Sequence, residues 1–333
     1  MKFVISIFGR KCGMAKLSLF TTYFFIPFMY ALFSAGCSRS QTDVGFLQTK
    51  TIAFVNKSAS INHIWLMDIN NAETGINARR LTNDVEPENY PSWSRDGKKL
   101  VYQRDYNGSA IYVTDADGKN RQRLSPTPGF DATPGWSADG TKIIYTRILG
   151  LIVPNQVPKT EIRIMKADGS EDHLILPASD FSVEPRWSVN NEVVFMSRMN
   201  GGQHIFTMNT DGTNIRQLTH EGNNGDPAWS PDGMQISFGS DREGNGKLNI
   251  FVMNADGSNV RQLTHFQVPF ESGDTDWSAD GTKIIFEYDI DGKLQSDPSA
   301  YAEVWIMNAT GTLESTTKQP CSCMGCAPRW RPM

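Results

Sequence analysis

The feature that most constrains the fold is a five-residue motif, Trp-Ser-x-Asp-Gly, that recurs along the chain. The motif starts at Trp93, Trp136, Trp187, Trp229, Trp277 and Trp330. Four copies are intact, the third is degenerate (Trp-Ser-Val-Asn-Asn), and the C-terminus cuts off the last. Successive tryptophans stand 42 to 53 residues apart. That period is the length of one four-stranded blade of a β-propeller.

Each unit repeats the same internal order after the motif. A strand such as Lys99–Arg104 follows the Asp-Gly turn, then a strand such as Ile205–Asn209, an Ala-Asp-Gly turn, and a last strand such as Arg261–Thr264. Glycine supplies the positive φ that a tight hairpin needs, and aspartate hydrogen-bonds the local backbone. Strands such as Ile205–Asn209 are apolar on both faces, so other blades must cover them on both sides. These features predict an all-β chain of stacked four-stranded blades.

The number of blades follows from the two ends of the repeat. Residues Thr51–Thr82 contain three strands but no Trp-Ser-x-Asp-Gly strand before them, and Ala327–Trp330 supplies that missing strand. The sequence therefore predicts a six-bladed propeller over residues 51–333, closed by one C-terminal and three N-terminal strands. Such closure removes the exposed sheet edges of an open array.

These repeats resemble the TolB-like, WD-type propeller family. The motif Trp-Ser-x-Asp-Gly, an aliphatic–aromatic strand, Met-Asn-Ala-Asp-Gly and Arg-Gln-Leu-Thr carry the resemblance, which spans residues 51–331. It implies a propeller with a role in the bacterial envelope. One departure limits what transfers: TolB has an α/β domain before its propeller, whereas here only residues 37–50 separate the predicted signal from the first strand. The role of TolB in envelope integrity is therefore not expected to transfer whole.

The N-terminus has the layout of a secretory signal. Lys2, Arg10, Lys11 and Lys16 precede the apolar run Leu17–Leu32, and small residues follow it. We predict a signal peptide over residues 1–36, with Met14 as the start codon that gives a compact signal. A single membrane span is the alternative, although Pro27 interrupts the run and about 20 apolar residues are needed to cross a bilayer.

Residues Ser34-Ala35-Gly36-Cys37 resemble the lipoprotein box of bacteria, in which the cysteine becomes lipidated. Ser34 departs from the aliphatic residue usual there. The residue after Cys37 is not the aspartate that retains enterobacterial lipoproteins at the inner membrane, so the resemblance implies an outer-membrane anchor, facing the periplasm or the cell surface. Residues 37–50 then form a lipidated tether.

Charge argues against one class of partner. The formal net charge is −4, and residues 1–36 contain four basic residues and no acid, so the chain without them carries −8. A negative surface repels phosphate backbones, which argues against nucleic acid as a partner.

Loop lengths distinguish the two rims of the predicted ring. The Trp-Ser-x-Asp-Gly and Ala-Asp-Gly turns are tight and share one rim, the tight-turn rim. The opposite, long-loop rim carries the longer connections Leu149–Lys159, His265–Thr275, Asp289–Ala300 and Lys318–Cys326. Since variable loops on a rigid scaffold usually carry recognition, we expect a partner to bind the long-loop rim.

Acidic residues on the inner strands form a candidate ligand site in the channel. Strand alternation points the residues one and three positions before each tryptophan the same way. It would gather Glu184, Asp226, Asp274 and Asp276, whose oxygens suit a hard cation such as Ca²⁺. The alternative is that Arg186 and Arg329 neutralise these acids and water fills the channel.

Three cysteines precede the closing strand. Cys321, Cys323 and Cys326 are too few for a usual four-ligand zinc site and have no histidine nearby in sequence. In an oxidising compartment a disulfide is the simpler interpretation, with Cys321 and Cys326 as the pair, because closer spacings give strained rings. Coordination of a soft metal stays open.

Two histidines occupy one repeat position. His220 and His265 both follow Leu-Thr, so they can form a metal or acid–base site at the rim. Some propeller lyases that act on oligogalacturonate resemble this repeat and use histidines around a metal. The simpler interpretation is a surface position that tolerates several residues, as Asn83 and Pro126 indicate.

No nucleophile elbow, phosphate loop or dinucleotide fingerprint occurs in the sequence. We therefore expect a non-catalytic, envelope-anchored scaffold that binds a protein and requires no cofactor. The alternatives are a carbohydrate-binding or polysaccharide-lyase propeller with a metal at the channel mouth, and a structural component of a surface layer.

Overall fold

The structure, a computed structural model, describes ten segments of the chain: residues 50–58, 61–70, 75–105, 108–126, 129–150, 156–244, 248–266, 272–289, 302–321 and 327–332. These segments form 24 β-strands in six four-stranded antiparallel sheets. The predicted six-bladed propeller is confirmed. Over the same segments, no helix combines the length and apolar character required to span a bilayer.

Five blades use four strands in chain order. Blade 1 comprises β4 (Glu88–Trp93), β5 (Lys99–Asp105), β6 (Ser109–Asp115) and β7 (Gln122–Arg123); blade 2 comprises β8 (Asp131–Trp136), β9 (Lys142–Leu149), β10 (Lys159–Lys166) and β11 (His173–Asp180); blade 3 comprises β12 (Val183–Trp187), β13 (Glu192–Ser197), β14 (His204–Asn209) and β15 (Arg216–Gln217). Blade 4 comprises β16 (Asn224–Trp229), β17 (Gln235–Ser240), β18 (Asn249–Asn254) and β19 (Arg261–Gln262); blade 5 comprises β20 (Ser272–Trp277), β21 (Lys283–Asp289), β22 (Ala302–Asn308) and β23 (Leu313–Cys321).

The sixth, closing blade joins the two ends of the repeat. Its strand order is β24 (Arg329–Trp330), β1 (Lys50–Ser58), β2 (Ile61–Ile69) and β3 (Gly75–Arg80). Ile52 pairs with Trp330 and Ala53 pairs with Arg329. The predicted closure, with one C-terminal and three N-terminal strands, is confirmed.

The repeated motif is a hydrogen-bonded hairpin. In each intact copy the serine hydroxyl donates to the aspartate Oδ1 at 2.5–2.7 Å. The same hydroxyl accepts a backbone N–H five residues ahead, at 2.9–3.0 Å. The motif glycines have φ of 64–70°, and in the degenerate copy Asn191 takes that conformation with φ 59°. Asparagine tolerates the left-handed region better than most residues, so the altered copy still turns.

The core lies between the faces of adjacent blades. All four apolar residues of β18, Ile250 to Met253, are buried, which confirms that this strand is covered on both faces. Aromatic pairs cross the middle of several blades; Phe238 and Phe251, for example, stack with centroids 5.9 Å apart. Burying one such side chain contributes about 1.5–3 kcal/mol. The rigid ring of sheets fixes the inner strands around the channel.

Three sequence-based boundaries were wrong. The Arg-Gln-Leu-Thr segments extend the ladder only over Arg-Gln, because the threonine hydroxyl takes the next bond: Thr219 Oγ1 accepts the N–H of Ile205 at 2.9 Å. Strand β20 begins inside the predicted loop His265–Thr275. Strand β23 continues to Cys321, inside the predicted loop Lys318–Cys326, because it pairs with β22 up to Ala302.

Candidate functional site at the mouth of the central channel

One backbone irregularity recurs in the inner strand of every blade. The residue three positions before each motif tryptophan has a positive φ of 40–58°: Tyr90, Thr133, Glu184, Asp226, Asp274 and Ala327. The ladder shifts register there in blades 1 to 5, which is a β-bulge. A bulge interrupts the period of two that the sequence-based argument assumed, yet residues one and three positions before the tryptophans still meet in the channel, as the pair of Arg329 with Asp274 shows.

At two of the bulges, the side chain of the bulge residue accepts a hydrogen bond from the backbone of the bulge residue in the next blade. The N–H of Glu184 donates to Thr133 Oγ1 at 3.3 Å, and the N–H of Asp226 donates to Glu184 Oε2 at 3.0 Å. The Asp226 carboxylate lies so close to blade 5 that a Cβ on Gly273 would be 2.1 Å from its Oδ2. These side chains support the bulge of the next blade, so their oxygens already serve the fold.

Three acids of blades 3, 4 and 5 interact electrostatically. Burial raises the pKa of Glu184, and the negative charge of Asp274 raises it further. Burial, Glu184 and Asp274 together hold the pKa of Asp226 well above its usual range. Because crowded buried carboxylates repel, this group favours bound protons over three full negative charges.

The fourth predicted acid, Asp276, lies apart from the other three acids. Its Oδ2 accepts the backbone N–H of Trp330 at 2.8 Å. Burial raises the Asp276 pKa, and the nearby Arg329 charge opposes that rise. Arg329 also pairs with Asp274, with Nη2 and Oδ1 3.3 Å apart. The structure thus gathers Glu184, Asp226 and Asp274, and places Asp276 beside the arginines.

The described residues do not assemble these acids into a cation site. Searched across the described segments, no three His, Cys, Asp or Glu side chains are placed to hold a metal ion. Backbone N–H groups and Arg329 already engage the carboxylates. A calcium site at Glu184, Asp226, Asp274 and Asp276 therefore remains a prediction from the sequence.

A cavity of about 340 Å³ opens where the channel meets the tight-turn rim. All six motif tryptophans line it, with Arg95, Arg186, Arg329 and Asp276 as its charged residues. We call this cavity the mouth. It is formed by the ends of the inner strands and by the turns that follow them, which are hydrogen-bonded hairpins in the four intact copies of the motif.

Sequence reasoning directed attention to the opposite rim. It favoured the long-loop rim because of its loop lengths, although it also placed Asp276, Arg186 and Arg329 in the channel, where all three line the mouth. All four long connections are described only in part, because residues 151–155, 267–271, 290–300 and 322–326 lie outside the described residues. Recognition at the long-loop rim therefore stays a prediction.

The two predicted rim histidines are exposed. His220 lies close enough to His204 to help burial lower the His204 pKa. Among the described residues, neither His220 nor His265 belongs to a group of three or more His, Cys, Asp or Glu side chains placed to hold a metal ion. Because the two occupy equivalent positions on consecutive blades, the fold spaces them one blade apart.

A buried histidine–carboxylate pair was missed from the sequence. His63 Nδ1 lies 3.2 Å from Glu88 Oε2, and the side chains are 3% and 0% exposed. Burial raises the pKa of Glu88 to about 7, and burial lowers the pKa of His63. The sequence contained a signal for this pair. Glu88 stands five residues before Trp93, and the equivalent position of blade 4 holds the neutral Asn224.

The remaining predicted sites fall largely outside the described residues. Cys37, the signal segment 1–36, and Cys323 and Cys326 lie there, and only the backbone of Cys321 is described, at the end of β23. The lipidation site and the Cys321–Cys326 disulfide therefore stay predictions.

Comparisons with known proteins now identify the repeat. Residues 146–297 match the family model of the TolB beta propeller domain. The chain contains a TolB-like β-propeller. A TolB homolog of Chlorobium luteolum is 38% identical over 68 residues, which are 20% of this chain and 16% of that protein. The matched segment thus spans about a sixth of the relative.

Solved structures show the same fold at low sequence identity. TolB from Acinetobacter baumannii superimposes with a TM-score of 0.67 at 18% identity, covering 85% of this chain and 67% of that one. An oligogalacturonate lyase in complex with manganese gives a TM-score of 0.55 at 18% identity, covering 80% and 72%. At such identities the TolB-like propeller is shared as a fold, and fold alone does not fix activity.

Proposed function

We propose that this TolB-like protein is a non-catalytic binding platform of the bacterial cell envelope that engages another protein. A propeller of this kind supports a binding or scaffold role in general. The observation that carries the proposal is the mouth, a concave surface of about 340 Å³ to which all six blades contribute. Pockets of this size on a preformed scaffold are typical ligand sites.

The envelope location is supported by the N-terminal sequence. The basic and apolar segment resembles a secretory signal, and Cys37 stands in a sequence that resembles a lipoprotein box. We propose that Cys37 is lipidated and anchors the propeller through the tether 38–50, on the outer membrane. Mass spectrometry of the protein from a bacterial host tests this. A diacylated or triacylated N-terminal Cys37 is expected, and a peptide in which Gly36 is still joined to Cys37 would contradict the proposal.

Two surfaces are candidates for the partner, the mouth and the long-loop rim. A pull-down from solubilised envelope with wild-type protein is expected to capture one stoichiometric protein. Arg95→Glu changes the mouth, whereas Arg198→Glu changes an exposed residue of the long-loop rim. Loss of the partner with only one of these variants identifies the surface. No stoichiometric protein with the wild type would contradict the proposal.

A carbohydrate role remains the alternative from the sequence. The likeness to the lyase concerns the fold, and the described residues show no assembled metal site. A viscosity assay on pectate separates the two functions, since a scaffold leaves the polymer intact and a lyase shortens it.

A further inference from the structure

The lining of the mouth has the opposite charge to the chain as a whole. Arg95, Arg186 and Arg329 face one acid, Asp276, in a protein of net charge −4. Lys50 and Arg331 add positive charge at its edge, where they lie over the rings of Trp330 and Trp93 at 6.0 and 5.1 Å. A concave site of one sign concentrates ligands of the other.

Arg329 is held rigidly at the floor of the mouth. It is 5% exposed, and its Nη1 donates to the carbonyls of Pro328 at 2.9 Å and Asp274 at 3.3 Å. Its Nη2 donates to Asp274 Oδ1 at 3.3 Å, while its Nε is buried without an acceptor. A guanidinium has five N–H donors and no acceptor, so this group has donor capacity to spare.

Arg186 has still fewer partners. Among the described residues, the one hydrogen bond of its guanidinium is a long contact from Nη1 to the carbonyl of Pro185, at 3.4 Å, and no carboxylate lies within ion-pair distance. Burial lowers its pKa to about 10, and repulsion from Arg329 contributes to that shift. The charges of Glu184, Asp274 and Asp276 offset part of this repulsion. An added anion between the two guanidinium groups offsets more of it.

The lip of the mouth combines apolar side chains with serine hydroxyl groups. Ala138, Val189, Pro231, Ala279 and Pro332 line it together with the tryptophan rings. The arginine side chains and the serine hydroxyl groups of the lining can donate hydrogen bonds to a ligand. The site therefore matches a ligand that brings both acceptor oxygens and apolar surface.

We propose that the mouth binds an acidic peptide segment of the partner protein, with a carboxylate between Arg186 and Arg329 and apolar flanks against the lip. This inference rests on the proposed function, because it names the chemistry of the partner. A peptide is favoured over a free oxyanion because the apolar lip needs a ligand with apolar surface. A volume of about 340 Å³ is at the lower end of ligand pockets, which fits a few residues rather than a folded domain.

Isothermal titration with capped peptides tests the chemistry. The probe is acetyl-Ala-Asp-Glu-Ala-amide, with acetyl-Ala-Asn-Gln-Ala-amide as its uncharged match and inorganic phosphate as a bare oxyanion. We expect the acidic peptide to bind at least tenfold more tightly than the neutral one, with affinity that falls as salt rises. Equal binding of both peptides would overturn the proposal, as would binding of phosphate without binding of the acidic peptide.

Variants locate the site. Arg186→Gln should lower the affinity for the acidic peptide at least tenfold, because charge-assisted hydrogen bonds are stronger than neutral ones. Arg186→Lys should keep part of the affinity, since it retains the charge and loses the planar fork. Arg198→Gln on the long-loop rim is the matched control and should bind as the wild type does. If Arg186→Gln fails to fold, the exposed Arg95→Gln takes its place with the same expectation. Unchanged affinity in these mouth variants overturns the proposal.

The pull-down separates this inference from the proposed function. Should the envelope partner bind wild type and Arg186→Gln equally, the scaffold function stands and the mouth is not its site. Should the acidic peptide bind through Arg186 while no envelope protein is captured, the site stands and the scaffold function falls.

Discussion

The closing blade and blade 4 have the same strand order, but their inner strands are held differently. In blade 4 the inner strand β16 has six residues and continues through a hydrogen-bonded hairpin into β17. In the closing blade β24 has two residues, paired to Ile52 and Ala53, with no covalent turn between the paired strands. The ring is therefore closed by a few non-covalent contacts, which makes the closing blade the place where stability is most sensitive to substitution.

Those contacts reach both neighbouring blades. The N–H of Arg331 donates to Thr51 O at 2.8 Å, and its Nε donates to Gly97 O in blade 1 at 2.8 Å. Gly97 has φ 64°, and a Cβ there would lie 2.8 Å from Pro332 O, so only glycine admits the closing strand. On the other side Arg329 pairs with Asp274 of blade 5. The short strand compensates for its length by these contacts.

Deletion of residues 327–333 removes the short inner strand of the closing blade and has the largest expected effect on the free energy of unfolding. It removes the buried Ala327, Arg329 and Trp330 and leaves β1 as an open edge. Loss of one buried tryptophan costs about 3–5 kcal/mol by itself, so we expect more than about 5 kcal/mol and aggregation on heating. Calorimetry and size-exclusion chromatography measure both. Deletion of Met333 alone is the control, and an unaltered Tm in the longer deletion would refute non-covalent closure.

Arg329→Met tests the junction between the closing blade and blade 5. It leaves Asp274, which is 8% exposed, without its cationic partner. Removing one partner of a buried pair costs about 3–5 kcal/mol. Arg216→Met, which breaks the more exposed pair with Glu192, is the control and should cost less than about 1 kcal/mol. Equal losses in denaturant titrations would show that the Arg329 pair has no special role.

The sequence predicted the ring in full and the mouth only in part, for a physical reason. Blade number and closure follow from a motif whose parts act locally, as with Ser230 and Asp232 in one hairpin. The positive φ at Glu184, Asp226 and Asp274 comes instead from a bulge that neighbouring blades impose. Likewise, Arg186 and Arg329 are 143 positions apart in the chain, and only the closed ring brings them to one cavity.

Ser230→Ala weakens the hairpin between β16 and β17 of blade 4, which has no counterpart in the closing blade. It therefore tests how much that hairpin contributes to stability. Ser230 donates to Asp232 at 2.5 Å and accepts the N–H of Gln235 at 2.9 Å, and the bond from Ser230 lowers the pKa of Asp232. Losing both bonds should cost about 1–2 kcal/mol. Ser188→Ala in the degenerate copy removes bonds of 3.1 Å and no acid partner, so it should cost less. A larger loss for Ser188→Ala in thermal melts would contradict this account.

The smallest expected effect concerns pH at the junction of the closing blade with blade 1. Glu88 has a folded pKa of about 7, mainly because of burial, against about 4.3 for an unperturbed glutamate. A raised pKa favours the folded state while the group is protonated. This stabilisation is full below the unfolded pKa and is lost as pH rises through 7. Lowering the pH from 8 to 6.5 should therefore make the contribution of Glu88 to stability roughly 1 kcal/mol more favourable.

His63 opposes Glu88 at the lower end of this window. Burial lowers the pKa of His63 from 6.5, so as the pH falls toward 6.5 the unfolded chain binds a proton at His63 before the folded chain does, and that lowers stability. The effect of Glu88 is therefore measured as the difference in slope between the wild type and Glu88→Gln. Other groups that act on the pair are Asp84, Arg80 and Arg121. Glu88→Gln should flatten the dependence between pH 6.5 and 8, because a neutral amide imitates the protonated acid, much as Asn224 stands beside His204 in blade 4. Asn224→Asp is the converse test and should introduce a similar dependence at the junction of blades 3 and 4. If Glu88→Gln retains the wild-type slope, the closing junction is no more sensitive to pH than an internal one, and the difference between the two blades is confined to the short strand itself.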